Sequence, residues 1–230
     1  MFLDAAHVPT LRGGRDDGRV TLPPSIDVRK AELRVHVRAQ RRARSTEDRI
    51  EIDRLLAVRL GSITQIAALV ADPGSGCVAA YASYGTEPGT GRLRGLLELS
   101  GVRVLLPVIR PDGGLAFAWD TGTVGDGTVS PGIPEPTTEP VAQSMADLAG
   151  LGCTVVLTPA LAVDLRGRRI GKAGGYYDRL FAGLDHLDPT LHPWRVAVVH
   201  DDDVVDEVPT EPHDRSVDAI LTPTRYLVCD

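Results

Sequence analysis

Cysteine is scarce in this chain: of 230 residues only Cys77, Cys153 and Cys229 are cysteine, an odd number separated by wide gaps. That spacing indicates neither a disulfide framework nor a zinc site, so a reducing compartment, the cytoplasm, is the simplest setting. Aromatic residues are also few, at 4%. No apolar run approaches the length of a membrane span and the first residues lack the apolar core of a secretory signal, so no membrane partner is expected. Positive charge is in deficit, with 25 Lys and Arg against 31 Asp and Glu and a formal net charge of −6. Bulk electrostatics therefore argue against a nucleic-acid partner, and any anion site has to be local. No nucleophile–base arrangement stands out, and no internal repeat is visible.

What is present centres on Asp164 to Phe181. Thr154 to Pro159 reads as a short buried strand; a basic loop with Arg168, Arg169 and Lys172 follows, then Gly171, Gly174 and Gly175, then a helix marked by Tyr177, Phe181 and Leu184. Glycines let the main chain approach a bulky anion, and the unpaired N–H groups of a helix start favour phosphate there. Asp178 falls in the first helical turn and is a candidate metal ligand beside those phosphates. The loop matches neither G-x-x-x-x-G-K-[ST] nor G-x-G-x-x-G, so a Gly-rich helix entry with a solvated basic loop is an equal reading of the residues alone.

Residues Met1 to Asp27 are rich in Gly, Pro, Asp and Arg without a sustained period and are expected to be a mobile extension ahead of one α/β domain spanning 28–230. Lys30, Arg34, Arg38 and Arg41 lie on an expected helix with Leu33 and Val37; a solvated basic face is the plainer reading. Ser45-x-x-Asp48 is a capping box before Ile52, Leu56, Leu60, Ile63, Ala67 and Val70, which predicts one long amphipathic helix. Strands are expected at Cys77 to Tyr84, Val102 to Val108, Leu115 to Trp119, Trp194 to His200 and Val217 to Leu221, with a short helix at Arg92 to Ser100. Pro107 is expected to end regular pairing or to mark an edge. Asp201, Asp202 and Asp203 read as a solvated strand-end loop, because adjacent acidic residues diverge. Alternating strands and helices predict a mainly parallel sheet with helices on both faces, Rossmann-like, and ligands at the carboxyl edge of the strands.

The run Arg169-Ile170-Gly171-Lys172-Ala173-Gly174-Gly175-Tyr176-Tyr177-Asp178-Arg179 resembles the signature of the 5-formyltetrahydrofolate cyclo-ligase family, usually R-L-G-x-G-G-G-Y-Y-D-R. Ala173 departs from the usual Gly, which makes a positive φ there less comfortable. Lys30-x-x-Leu33-Arg34 with Arg41, Glu87 after a strand, Gly132-Ile133-Pro134-Glu135-Pro136 and His213-Asp214-x-x-Val217-Asp218 resemble further segments of that family. The resemblance implies ATP- and Mg²⁺-dependent cyclisation of 5-formyltetrahydrofolate to 5,10-methenyltetrahydrofolate, whether or not the substrate carries a polyglutamate tail. It implies Lys30, Arg34 and Arg169 as catalytic and ATP-binding groups, with Gly171, Lys172, Ala173, Gly174, Gly175, Tyr176, Tyr177 and Arg179 completing the nucleotide site. It further implies Arg34, Glu87, Glu135, Lys172, Gly174 and Tyr176 against the folate, and Asp178 with Asp214 as Mg²⁺ ligands. From the residues alone, Glu87 and Glu135 read equally as loop and turn positions, and His213 as a solvated loop histidine. A non-catalytic folate or nucleotide binder of the same fold is the alternative, supported by Ala173; a scaffold acting through the extension is a third. A monomer is expected.

Overall fold

The computed structural model describes residues 24–230. The expected extension falls outside the described residues as far as residue 23; its last residues instead start helix α1 (Ile26–Arg42), whose N-cap Ser25 accepts the Val28 N–H. Helix α2 (Thr46–Arg59) opens on the expected capping box, with Asp48 N–H donating to Ser45 Oγ at 3.0 Å and Ser45 N–H to Asp48 Oδ2 at 3.2 Å. The single long helix expected beyond it is broken. A 3₁₀ turn at Leu60–Ser62 and an extended Ile63 lead into α3 (Thr64–Ala71), bent 80° from the first segment. Past the bend Ile63, Ile66 and Leu69 are buried while Ala67 and Val70 face solvent. An unbroken helix from 46 to 71 would run about 39 Å, whereas a seven-residue strand spans about 23 Å. The bend keeps both segments over the sheet.

The remaining elements are β1 (Cys77–Ala79), α4 (Gly91–Leu99), β2 (Arg103–Ile109), β3 (Leu115–Trp119), β4 (Val124–Asp126), β5 (Pro134–Pro136), β6 (Pro140–Ala142), α5 (Met145–Gly150), β7 (Cys153–Pro159), β8 (Ala162–Val163), β9 (Arg169–Ile170), α6 (Tyr176–Ala182), β10 (Trp194–Val198), β11 (Ala219–Leu221) and β12 (Tyr226–Val228). Eight strands form one sheet in the order β12-β11-β10-β7-β1-β2-β3-β6. The central five, β11 to β2, pair in parallel, and antiparallel strands close both sides. Alternation within the strands divides the core: Val78, Val104, Leu157 and Val198 pack with Leu56, Ile66 and Leu93, and Ala79, Leu105, Val156 and Ala197 with Leu148, Leu180 and Phe181. Helices therefore cover both faces, as the alternating elements predicted.

The chain leaves β1 toward β2 on one side and β7 toward β10 on the other, so the carboxyl ends of β1 and β7 form a topological switch point, where such sheets open a crevice. Regular pairing in β1 stops at Ala79, short of the expected Tyr84, and frees the following residues for that crevice. Pro107 does not end pairing with β3, but it stands where β2 has become an edge on the β1 side. Asp120 N–H bonds Val104 C=O and Arg110 N–H bonds Gly114 C=O, so even-numbered residues of β2 face β3, and Pro107 turns its missing donor toward β1, already ended. The long segment from Asp120 to Pro140 is organised by the β4–β5 hairpin.

The expected open basic loop after β7 is a second hairpin, β8–β9, turned by Asp164 to Arg168. Gly167 sits there at φ +75°, and a Cβ would lie 2.2 Å from the Val217 carbonyl oxygen. Its own carbonyl accepts the Val217 N–H at 2.9 Å, which ties the hairpin to the strand region before β11. Gly167→Ala should lower stability by at least about 2 kcal/mol, since left-handed strain and backbone overlap add; chemical denaturation measures it.

Candidate active site

Two clefts open at the switch point, and the glycine segment is the wall between them. The first is largely apolar and encloses about 870 Å³ including its open mouth; Tyr81, Ile109, Leu115, Ile133, Leu161 and Tyr176 contribute to its lining. The second, about 550 Å³ on the same measure, is charged: Lys30, Arg34 and Arg169 face Asp27, Asp178, Glu211 and Asp214. Arg169, Gly171, Gly175 and Asp178 border both.

Helix α1 delivers the cations of the charged cleft. Lys30 Nζ donates to Asp214 Oδ2 at 2.6 Å and to Glu211 Oε2 at 2.7 Å, and its side chain is only 7% exposed. Burial works against its charge, but the hydrogen bonds it donates to the two carboxylates outweigh that and raise its pKa. Burial likewise opposes ionisation of Asp214, and the Lys30 and Glu211 N–H donors overcome it and lower its pKa. Arg34 Nε donates to the Gly171 carbonyl at 3.0 Å, so helix α1 also fixes the start of the glycine segment. From the other side, Arg169 Nη2 reaches Asp178 Oδ1 at 2.8 Å, while its Nε is buried with no partner. Burial depresses the Arg169 pKa, with Asp178 as the chief opposing influence.

Arg168, expected to add charge to this loop, instead turns to Asp164 at 2.7 Å and away from the clefts. Helix α6 has only seven residues before a 3₁₀ turn, so charge on a ligand would be met by side chains and loop N–H groups more than by a helix end. Gly175 caps α6 in the left-handed region at φ +64°, and Ala173 is held at φ +84°, the one non-glycine residue with positive φ among the described residues.

In the apolar cleft Glu87 is buried and held twice, by Lys172 Nζ on Oε1 at 2.7 Å and by Tyr84 N–H on Oε2 at 3.1 Å. Lys172 Nζ also lies 3.5 Å from the centre of the Tyr84 ring. The hydroxyls of Tyr81 and Tyr177, both from the lining, are buried without partners.

Against this geometry the family signature can be weighed. The 5-formyltetrahydrofolate cyclo-ligase family model matches residues 26–223. The chain belongs to the 5-formyltetrahydrofolate cyclo-ligase family. A 5-formyltetrahydrofolate cyclo-ligase of Mycolicibacterium smegmatis is 42% identical over 156 residues, 66% of this chain and 75% of that one. One of Escherichia coli is 29% identical over 191 residues, 82% and 97% of the two chains. A solved structure of Aquifex aeolicus 5,10-methenyltetrahydrofolate synthetase superposes with a TM-score of 0.67 at 24% identity, covering 86% of this chain and 92% of that one, which speaks for the fold.

Most residues that the cyclo-ligase resemblance singled out converge on the two clefts: Lys30, Arg34, Glu87, Arg169, Gly171, Lys172, Ala173, Gly174, Gly175, Tyr176, Tyr177, Asp178 and Asp214. Two do not. Glu135 lies behind the apolar wall, where its buried carboxylate accepts the Ile109 N–H at 2.8 Å; that N–H points to the side of β2 from which β1 has withdrawn. Arg179 turns outward to the Gly113 carbonyl and to that of Gly174 at 2.8 Å, bracing the glycine segment from outside.

As a metal pair, Asp178 and Asp214 both border the charged cleft, but no group of three or more potential ligands occurs among the described residues. Each spends one oxygen on a cation, Asp178 Oδ1 and Asp214 Oδ2, and the other accepts no hydrogen bond among the described residues. Two carboxylate oxygens suit Mg²⁺, which keeps waters and takes its remaining ligands from phosphates.

Sequence reasoning named Arg41 within the family-like pattern but gave it no role, and it took Asp203 for a solvated residue. Asp201, Asp202 and Asp203 do diverge, toward Thr222 and Thr224, toward Arg44, and inward, but Asp203 is fully buried rather than solvated. Arg41 Nη2 meets Asp203 Oδ2 at 2.7 Å with both side chains at 0% exposure, and bonds the carbonyls of Ala160 at 2.7 Å and Leu161 at 3.1 Å. Those two residues form part of the apolar cleft wall. Only the i, i+4, i+7, i+11 spacing of Lys30, Arg34, Val37 and Arg41 signalled that this face turns inward.

Arg41→Met should cost about 3–5 kcal/mol by stranding a buried carboxylate. In urea denaturation Arg41→Met with Asp203→Leu should recover most of that loss. Ala173→Gly should leave stability within about 1 kcal/mol of the parent, because relief of left-handed strain is offset by a more flexible unfolded chain; thermal melting checks it.

Proposed function

We propose that this protein cyclises 5-formyltetrahydrofolate to 5,10-methenyltetrahydrofolate with ATP and Mg²⁺, releasing ADP and phosphate. The observation that carries this reading is the glycine segment that walls two unlike clefts, one apolar and one charged. A flat ring system suits the first and a polyphosphate the second, and their reacting ends would meet beside Arg169 and Asp178.

A formamide oxygen is a poor leaving group. Its transfer of electrons to the γ-phosphorus forms an O–P bond and releases ADP; N10 then attacks the activated formyl carbon and gives up its proton to solvent, the ring closes, and phosphate departs with the former formyl oxygen. No protein nucleophile is required for this sequence. What it requires is alignment and neutralisation of charge spreading over the transferred phosphoryl group. Lys30, Arg34 and Arg169 supply that positive charge from two elements, and Glu87 with Lys172 orients the ring system. The apolar lining keeps water from competing with N10.

The charged cleft also argues for a divalent ion. Its three cations, Lys30, Arg34 and Arg169, are outnumbered by four carboxylates, Asp27, Asp178, Glu211 and Asp214, so free ATP would meet a site with no net positive charge. Mg²⁺ held by Asp178 and Asp214 would offset the polyphosphate charge and polarise the γ-phosphoryl group.

Purified protein given 5-formyltetrahydrofolate, ATP and Mg²⁺ should produce the near-ultraviolet absorbance of the methenyl product, and leaving out either ATP or the metal should abolish it. Folate binding without that rise would instead favour the non-catalytic binder. Asp178→Asn should cut turnover by roughly two orders of magnitude yet melt close to the parent, since the amide oxygen can still accept from Arg169 and Arg215. Unchanged turnover would remove Asp178 from the metal site.

A further inference from the structure

Two tyrosines that line the apolar cleft bury their hydroxyls in its wall without partners among the described residues. Tyr81, only 3% exposed, follows the short strand β1, and Tyr177 stands in the first turn of α6. Both line the cleft, and both hydroxyls are buried with no hydrogen-bond partner among the described residues. Neither position is forced by packing alone, because a phenylalanine would fill the same volume without stranding a donor. An orphaned buried hydroxyl ordinarily destabilises a fold. Two such groups in one ligand-sized cleft mark a place where the partner comes from outside.

Their surroundings specify what kind of partner. A phenol titrates at about 10, so at neutral pH both hydroxyls are protonated and neutral. A neutral phenol beside a carboxylate offers a donor, while Glu87 offers only acceptors. Both Glu87 oxygens already take a donor, Lys172 on one and the Tyr84 N–H on the other, and each keeps capacity for a second. The lining thus presents two donors and one acceptor on an otherwise apolar wall. That pattern complements a flat heterocycle whose edge carries an amino donor next to a carbonyl or ring-nitrogen acceptor.

Resting on the cyclo-ligase reading above, we infer that the Tyr81 and Tyr177 hydroxyls are specificity-determining donors to the oxo edge of the pterin ring, acting opposite Glu87, which takes its amino group. Tyr81 lies outside the signature run and had no functional reading in the sequence. Both hydroxyls would gain in the complex the bonds they lack without it. The protein carries their cost as a stability loss that substrate binding repairs.

The test is calorimetric titration of wild-type protein, Tyr81→Phe and Tyr81→Phe/Tyr177→Phe with 5-formyltetrahydrofolate and with its analogue bearing an amino group in place of the ring oxo group, alongside thermal melting. Tyr81→Phe should melt at or above the wild-type temperature, yet bind the oxo substrate roughly tenfold more weakly. Its preference for oxo over amino ligand should shrink, and ATP affinity should be unchanged. The double variant should lose further discrimination. Oxo-substrate affinity and discrimination both within twofold of wild type in Tyr81→Phe would overturn the inference while leaving the cyclo-ligase reading intact. A loss of melting temperature with ligand preference preserved would also overturn it, by assigning the hydroxyl to the fold. Wild-type protein that neither binds nor converts the oxo substrate would overturn both readings together.

Discussion

One buried guanidinium holds the working edge of this protein together. Arg41 has no route to water, and its Nε and Nη2 take acceptors from three places inside: Asp203 after β10, and the main-chain carbonyls of Ala160 and Leu161 after β7, while Nη1 has no partner among the described residues. A cation so placed is costly unless it is well bonded, and satisfying it draws helix α1 onto the carboxyl edge of the parallel strands. Lys30 and Arg34, three and two turns earlier on the same face, then reach the charged cleft. The position of the site follows from the position of that helix.

The two clefts share a short stretch of backbone, and that stretch is held from every side. Arg34 takes the Gly171 carbonyl, Arg179 takes that of Gly174, and Ala173 endures a left-handed conformation. A segment bonded this way stays put while ligands approach from either side. The β8–β9 hairpin leading into it is in turn fastened to the region before β11 through Gly167 and Val217.

Some of the incomplete bonding lies where ligands are expected. Arg169 Nε, Tyr81 and Tyr177 hydroxyls lie buried without partners around the clefts, although most polar groups elsewhere are satisfied. Lys30, by contrast, already bonds two carboxylates, Glu211 and Asp214, and keeps one donor for an incoming phosphate. The charged cleft is in this sense balanced in advance, and a metal-bearing anion disturbs that balance less than a bare one.

The sequence was enough for the α/β class, the parallel centre of the sheet, six of the eight strands of the main sheet and the run from Arg169 to Asp178, because period-two apolar patterning and a dense local motif are properties of neighbouring residues. It also carried Lys30 and Asp214 into the site through resemblance. It could not show that α1 packs by a stripe of cations, since hydrophobic periodicity is blind to a face of Lys and Arg, nor that the helix after Ser45 bends so that Ile66 and Leu69 replace Ala67 and Val70 in the core. Asp203 was taken for solvated, and Glu135 and Arg179 lie outside the lining of the two clefts, for one reason. Each is bonded to a group distant in the chain, Arg41, the Ile109 N–H and the Gly113 carbonyl, and such partners are chosen by the crossing of strands and loops in space rather than by spacing along the chain.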